Sequence, residues 1–274
     1  MDVSVIIVNY NSGDFLYNCI RSIQENIKLV DLEIIVVDNA SSDDSIKRCE
    51  NLHKDRLLFV QAGENLGFSK ANNLGAKLAR GKILHFLNPD TQLDEKMSDD
   101  YEKILKDREK GFFAVYVNPL KNRDGSVRYE RNWQLTPENY LAYLLKLSTV
   151  KWYYLGATVI VSREIYDKVG GWNEEIFMYS DDADFFYKLD KMSILVVEMP
   201  AVIFHYGGAS SEKVWSNMDK EIVIQKSLRV FYHSNHLGSY RYWCLQAMLI
   251  LSFFPKFKRM WWQVKAIWLS KYGK

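Results

Sequence analysis

A chain of 274 residues, 48% hydrophobic and 26% charged, has enough apolar content to bury a large core, which excludes a disordered or fibrous protein. The net charge of +2 is unevenly placed: residues 231–274 hold seven Lys and Arg and no Asp or Glu, so that segment is +7 and the rest is −5. Cys19, Cys49 and Cys244 are far apart and form no CxxC, which argues against a disulfide framework and fits reduced thiols in a cytosolic protein.

Residues 3–8 (VSVIIV) form a short apolar run rich in β-branched side chains, as expected of a buried parallel strand. The run opens the chain with no basic leader or cleavage site, so no signal peptide is expected. Asn9-Tyr10-Asn11-Ser12 makes a turn, and Asn11 or Ser12 is placed to cap a helix carrying Phe15, Leu16, Cys19, Ile20 and Ile23 at helical spacing. A second strand, residues 33–38, ends on Asp38. Ser42 then caps an expected helix to about Leu52. A third strand at 57–60 leads into Asn65-Leu66-Gly67-Phe68 and a helix carrying Ala71, Leu74 and Leu78.

The fourth strand organises the rest. In residues 83–90 (ILHFLNPD) an apolar strand stops at once on an acid, because Pro89 cannot donate to a sheet ladder. Strand and helix thus alternate four times, the signature of a doubly wound parallel sheet. Three strand tips carry Asn9, Asp38 and Asp90, and adjacent parallel tips converge where such sheets bind ligands. A carboxylate there can hold a divalent cation, and the cation a phosphate.

Beyond Asp94 the alternation weakens. A helix is expected at 94–106, a strand at 112–117, a hairpin about Asn122-Arg123-Asp124-Gly125, and strands around Gly156 within 152–161. Ser162 is placed to cap a helix at 163–169. Gly170-Gly171-Trp172 then leads to Asp181, Asp182 and Asp184, packed acids that repel one another unless a cation or donor lies near. Residues 196–204 read as a strand interrupted by Pro200, ending on His205-Tyr206-Gly207-Gly208. Residues 215–232 and 242–272 read as helical, with a break at Pro255. The apolar run at 243–255 is broken by Gln246 and Ser252 and falls short of the ~20 residues a spanning helix needs. Basic residues mixed with Trp261, Trp262 and Trp268 instead suit a helix lying on anionic lipid; a helical hairpin packed on the body or on a second copy of the chain is the other expectation.

The order VSVIIVNYNS, VVDNASSDDS, ENLGFSKANNLG, LHFLNPDT, GGWNEEIFMYSDDADF and HYGG resembles the family 2 glycosyltransferases of the GT-A fold, closest to the bacterial rhamnosyltransferase and galactofuranosyltransferase branch. The resemblance spans about residues 1–210. It implies an α/β domain over residues 1–212, a Rossmann-like mixed sheet flanked by helices, and a C-terminal helical appendage over 213–274. It implies a nucleotide-diphospho-sugar donor of the dTDP-rhamnose or UDP-hexose type, bound by Val8, Asn9, Tyr10, Asp38, Asn65, Gly67, Asn72 or its neighbour Asn73, Asn88 and Asp90. The family's metal motif, usually Asp-x-Asp, is Asn88-Pro89-Asp90 here, which leaves Asp90 as main ligand. His205 matches a position that completes the site for Mn or Mg, and imidazole favours Mn.

By the same likeness the second acid of the acidic junction, Asp182, is the base that takes the proton of the attacking hydroxyl, and a single displacement inverts the anomeric carbon. Gly156, Trp172, Asp181 and Asp184 are expected on the acceptor side, with Trp172 stacked on a sugar face. The family's usual Asp after the glycine pair is Asn173 here. The implied acceptor is a glycan or lipid-linked hydroxyl in cell-surface polysaccharide synthesis. The implied location is cytoplasmic, peripheral on the inner face of the membrane, with a homodimer as the alternative partner of the tail.

A catalytically inactive nucleotide-sugar-binding scaffold would have no chemical need for Asp90, Asp182 and His205 together. A nucleotidyltransferase would want a glycine-rich basic loop after the first strand, and a dehydrogenase a GxGxxG; neither is present. No nucleic-acid partner is expected, since the tail's tryptophans fit lipid better.

Overall fold

The computed structural model describes residues 1–207, 216–252 and 257–272. The expected boundary at 212/213, Gly208, Trp215, the break at Pro255, Phe253, Phe254, Lys256 and Lys274 lie outside them. The first half runs β1 (Val3–Asn9), α1 (Asp14–Asn26), β2 (Leu32–Asp38), α2 (Ser45–Arg48), β3 (Leu57–Gln61), α3 (Gly67–Leu78), β4 (Ile83–Leu87), β5 (Thr91–Gln92) and α4 (Met97–Glu109). Then follow β6 (Val115–Val117), β7 (Leu120–Lys121), β8 (Val127–Arg128), β9 (Arg131–Trp133), α5 (Pro137–Leu144), β10 (Trp152–Tyr154), β11 (Thr158–Ser162) and α6 (Arg163–Lys168). The remainder is α7 (Asp181–Lys191), β12 (Val196–Glu198), β13 (Ile203–His205), α8 (Asn217–Ser234), α9 (Ser239–Ser252) and α10 (Phe257–Tyr272).

Seven strands form the central sheet in the order β12-β6-β11-β4-β1-β2-β3. Pairing from β3 through β2 and β1 to β4 is parallel, and β11 enters antiparallel to both β4 and β6. The inner strands β1, β2, β4, β6 and β11 are buried on both faces, and their period of two divides the core. Val5, Ile7, Ile34 and Val36 pack toward Leu16 and Ile20 of α1 and Met97 of α4, whereas Ile6, Ile35, Val37 and Phe86 pack toward Ala71 of α3 and Phe185 of α7. The chain leaves β1 toward β2 on one side and returns to β4 on the other. The tips of β1 and β4 therefore flank the switch point, where a crevice opens.

A second sheet, β5-β13-β7-β8, brings distant residues to that crevice. Its register pairs His205 with Thr91, and the Tyr206 N–H donates to the Asp90 carbonyl at 2.9 Å. Pro200 separates β12 and β13 into different sheets, so the expected single strand is two. The hairpin about 122–125 and the Ser162 cap are present, the latter accepting from the Ile165 N–H at 3.3 Å.

The expected helix from Ser42 to Leu52 shrinks to the single turn Ser45–Arg48. Asn11 Oδ1 accepts from the Ser42 N–H at 2.8 Å and Asp43 Oδ1 from the Ser45 N–H at 3.1 Å, and such local bonds compete with helix formation. Asn11 is thereby spent, and α1 starts after Gly13 with no side-chain cap.

The C-terminal helices pack on the body, one of the two arrangements expected for them. Leu228, Phe231 and Tyr232 of α8 and Tyr242 and Leu245 of α9 share an apolar cluster with Tyr140 of α5, Ile176 and Tyr187 of α7. Among the described residues no helix is long and apolar enough to cross a membrane.

Candidate active site

A cavity of about 720 Å³ opens at the switch point, lined by Val8, Tyr10, Asn65, Asn88, Asp90, Gly156, Asp181, Asp182 and His205 of the expected site. Asp90 Oδ1 and His205 Nε2 lie 3.5 Å apart, both buried, one from the end of β4 and the other from β13. The same contacts carry Asp182 to their neighbourhood. The Asn88 N–H donates to the Ala157 carbonyl at 2.9 Å, and the Gly156 N–H donates to Asp182 Oδ2 at 3.4 Å.

Asp181 and Asp182 form the first turn of α7, where the helix dipole favours acids. The turn before them is strained: Tyr179 and Ser180 hold φ of 64° and 62°. Such non-glycine positions cost on the order of 1–3 kcal/mol each and recur at functional sites. Asp182 is half-buried, and its enclosure pushes its carboxyl from 3.8 up to about 6. Burial, and then the charge of Asp182, raises Asp181 well above the usual carboxylate range. The pair is thus held where one carboxyl titrates near neutrality, as a general base requires.

Six expected site residues do not line the cavity. Trp172 is 1% exposed, with its indole stacked 4.6 Å from the Phe185 ring and edge-on to Phe68 and Phe86. The stacking role on a sugar is therefore corrected to a core role. Asn73 fixes the Trp172 backbone from both sides, accepting its N–H at 3.1 Å and donating to its carbonyl at 2.9 Å, which turns the indole inward. Asp184 is fully buried. It pairs with Lys188 at 2.8 Å and accepts from Asn235 at 2.7 Å, so it joins α7 to α8 and does not reach an acceptor. Asn72 donates to the Phe68 carbonyl of its own helix at 3.1 Å.

Asn9 and Asp38 bind each other: Asn9 Nδ2 donates to Asp38 Oδ1 at 2.7 Å, and Ser41 Oγ donates to the same oxygen at 2.6 Å. They brace the strand tips behind Val8 and Tyr10. Gly67, the last of the six, has φ of +78°, and a Cβ there would lie 2.3 Å from the Phe177 carbonyl oxygen. It permits the acidic loop to close on α3, where the Phe68 N–H donates to that carbonyl at 2.8 Å. Gly67→Ala is expected to lower the thermal midpoint and to destabilise by about 1–3 kcal/mol in a denaturant titration.

Further residues line the cavity, among them Trp133, an aromatic also expected to stack on a sugar face. Asn39, beside Asp38, reaches the cavity and donates to the Gly67 carbonyl at 3.1 Å. Asn132, Trp133 and Tyr153 come from the β9–β10 ribbon, and Lys220, Ile224 and Leu228 from α8, with Leu245 and Leu249 from α9. Lys220 is the lone Lys or Arg among the described lining residues, 5.3 Å from the Tyr179 ring centroid.

Among the described residues no group of three or more His, Cys, Asp or Glu is placed to hold a metal ion. Asp90 and His205 nevertheless make a carboxylate–imidazole pair of the kind a divalent cation accepts, with diphosphate and water oxygens as the remaining ligands.

The family model described as Glycosyl transferase family 2 matches residues 4–170. The chain belongs to glycosyl transferase family 2. The low-salt glycan biosynthesis hexosyltransferase Agl10 of Haloferax volcanii is 27% identical over 216 residues, 73% of this chain and 66% of its own length. The GalNAc(5)-diNAcBac-PP-undecaprenol beta-1,3-glucosyltransferase of Campylobacter jejuni is 34% identical over 131 residues, 47% of this chain and 41% of its own. The chain thus spans just under two thirds of the first relative and about two fifths of the second.

Solved structures give the GT-A fold. Mannosyltransferase PcManGT from Pyrobaculum calidifontis, in complex with GDP-Man and Mn2+, superposes with TM-score 0.62 at 17% identity, over 99% of this chain and 87% of that one. S. aureus TarS 1–349 in complex with UDP-GlcNAc gives 0.62 at 16%, over 97% and 79%. The mixed sheet flanked by helices is the arrangement expected of family 2. The matched span ends before Asp182 and His205, whose assignment rests on the cavity they share with Asp90.

Proposed function

We propose that this family 2 protein transfers a sugar from a nucleotide-diphospho-sugar, of the UDP-hexose or dTDP-rhamnose type, to a hydroxyl of a glycan or lipid-linked acceptor in cell-surface polysaccharide synthesis. One observation carries the reading: Asp182, with its raised carboxyl pKa, opens into the same cavity as the Asp90–His205 pair. Asp182 takes the proton of the attacking hydroxyl as the new bond forms. One base and one displacement give inversion at the anomeric carbon. Asp90 and His205 would hold a divalent cation, Mn or Mg, which when bound neutralises charge on the departing diphosphate. The complex of PcManGT with GDP-Man and Mn2+ supports that choice.

Lys220 of α8 lines the same cavity, and its ammonium would contact the donor's diphosphate. Losing one hydrogen bond to a charged group costs about 1.5–3 kcal/mol, so Lys220→Ala is expected to raise the donor KM about tenfold with kcat little changed. Steady-state kinetics read the split.

Two features support an acceptor presented at a lipid surface. Ile224, Leu228, Leu245 and Leu249 give the cavity an apolar wall beside the catalytic acids. Leu251, Trp261, Trp262 and Trp268 are 45–69% exposed on a tail without acids. The Campylobacter relative is named for an undecaprenol-linked acceptor, which agrees with a place for this chain on the inner face of the membrane.

A panel of nucleotide-diphospho-sugars, incubated with Mn2+ or Mg2+ and read as nucleoside diphosphate release, tests the function. Metal-dependent release from one of them is the expected result. Binding without release would favour the scaffold reading, and neither binding nor release would overturn both.

A further inference from the structure

A second cavity, of about 610 Å³, lies among the tail helices and shares no lining residue with the donor cavity. Its charge is one-sided. Arg229, His233, His236 and Lys271 line it together with Tyr242 and Trp243, and no Asp or Glu among the described residues does. The sequence explains the asymmetry, since residues 231–274 contain no acid.

Arg229 is held in one pose. Its Nη2 donates to the Ile267 carbonyl at 2.9 Å, and its guanidinium lies 5.4 Å from the Tyr242 ring centroid. No carboxylate pairs with it among the described residues. A guanidinium has five N–H donors in a rigid fork, so most of its donors remain for a ligand. Lys271, also in the lining, lies 5.9 Å from the Trp243 ring centroid. A fixed guanidinium with an ammonium and two imidazoles around it matches a tetrahedral oxyanion better than a carboxylate-free apolar ligand.

We propose that this cavity binds a phosphate group, with Arg229 as the fork and Lys271, His233 and His236 closing around it. The exposed Trp243, Trp261, Trp262 and Trp268 on the same helices favour the headgroup of an anionic phospholipid as its source. The inference goes beyond glycosyl transfer and stands or falls separately, because none of these residues lines the donor cavity.

The test uses the full chain. Vesicles of phosphatidylglycerol, or of phosphatidylcholine alone, are sedimented with the protein, and inorganic phosphate is titrated separately while tryptophan fluorescence is followed. Wild type is expected to bind phosphatidylglycerol vesicles at least tenfold better than neutral ones. The combined variant His233→Gln, His236→Gln, Lys271→Gln leaves Arg229 and its carbonyl contact in place, and it is expected to lose about tenfold of that binding. Lys265→Gln removes the same formal charge outside the cavity and is expected to lose much less. Donor hydrolysis is expected to be unchanged in both. A phosphate response without vesicle binding, abolished in the combined variant, would support the cavity with free phosphate as its ligand. Equal binding to both vesicle types without a phosphate response would overturn the proposal, as would equal losses in the combined variant and Lys265→Gln.

Discussion

Asp182→Asn is expected to lose about 10²–10⁴-fold in kcat while binding the donor as wild type does. The amide keeps the shape of the carboxyl and still accepts from the Gly156 N–H, but it cannot take a proton. The pH profile gives the same claim a second form. The carboxyl of Asp182 titrates at about 6, raised by burial, and as the proposed base it would act only when ionised. Wild-type kcat/KM should therefore rise with pH through about 6 and level off above it. The stability effect has the opposite sign. The unfolded carboxyl ionises near 3.8 and the folded one near 6, so between those values the folded state holds the extra proton. Stability from this group is full below the lower value and is lost as pH rises through the upper. Asp182→Asn removes that loss, and its thermal midpoint at pH 8 should exceed that of wild type, with the gap closing toward pH 4. A variant with wild-type turnover would move the base to Asp181, whose own Asn substitution is the control.

Much of this was legible in one dimension. Short apolar runs ending on Asn9, Asp38 and Asp90, alternating with helical patterns, read as parallel strands with their tips together, although the Asp90 stretch alone also read as a plain turn and helix cap. Pro89 marked where β4 stops, and the structure ends it at Leu87. His205 joined Asp90 through the pairing of two strands distant in sequence, His205 against Thr91, which only the motif order hinted at.

What the sequence hid was the difference between lining a site and bracing it. Asn9, Asp38 and Asn72 are polar and close to the crevice, as motif logic requires, yet their side chains are taken up by neighbours: Asp38 by Asn9 and Ser41, Asn72 by its own helix. Whether a polar side chain at a strand tip faces ligand or protein depends on the next shell of packing, and period and composition do not carry that information. Trp172 follows the same logic. Two glycines before an aromatic suggest an exposed loop, but Asn73, ninety-nine residues upstream, turns the indole into the core. The C-terminal helices are present as expected, but their part in the cavity was not legible: Lys220, Leu228 and Leu245 of α8 and α9 line it. Helices that bury one side on the body and another on the cavity have no single apolar stripe to announce them.

The other large effect is expected at the acid–imidazole pair. Asp90 Oδ1 and His205 Nε2 are 3.5 Å apart and both buried, an arrangement that suits either a shared cation or a direct contact between them. The two differ in what a substitution does. If the pair holds the cation, Asp90→Asn should weaken Mn2+ binding in the presence of a nucleoside diphosphate by more than the roughly 10–100-fold typical of outer-shell changes. His205→Asn should weaken it by a similar amount, since neither remaining ligand suffices alone. Electron paramagnetic resonance of free Mn2+ reads this without turnover, so the result does not depend on knowing the sugar. Chelation of wild type should then reproduce the kinetic defect of Asp90→Asn, and chelating the variant should add little. Wild-type Mn2+ affinity in both variants would remove the cation from this pair and leave His205 as a plain hydrogen-bond partner of Asp90. The outcome bears on Asp182 as well. A base that deprotonates the acceptor gains little rate if the diphosphate's charge is left without an opposite charge near it, so the two substitutions should be less than additive in kcat when combined.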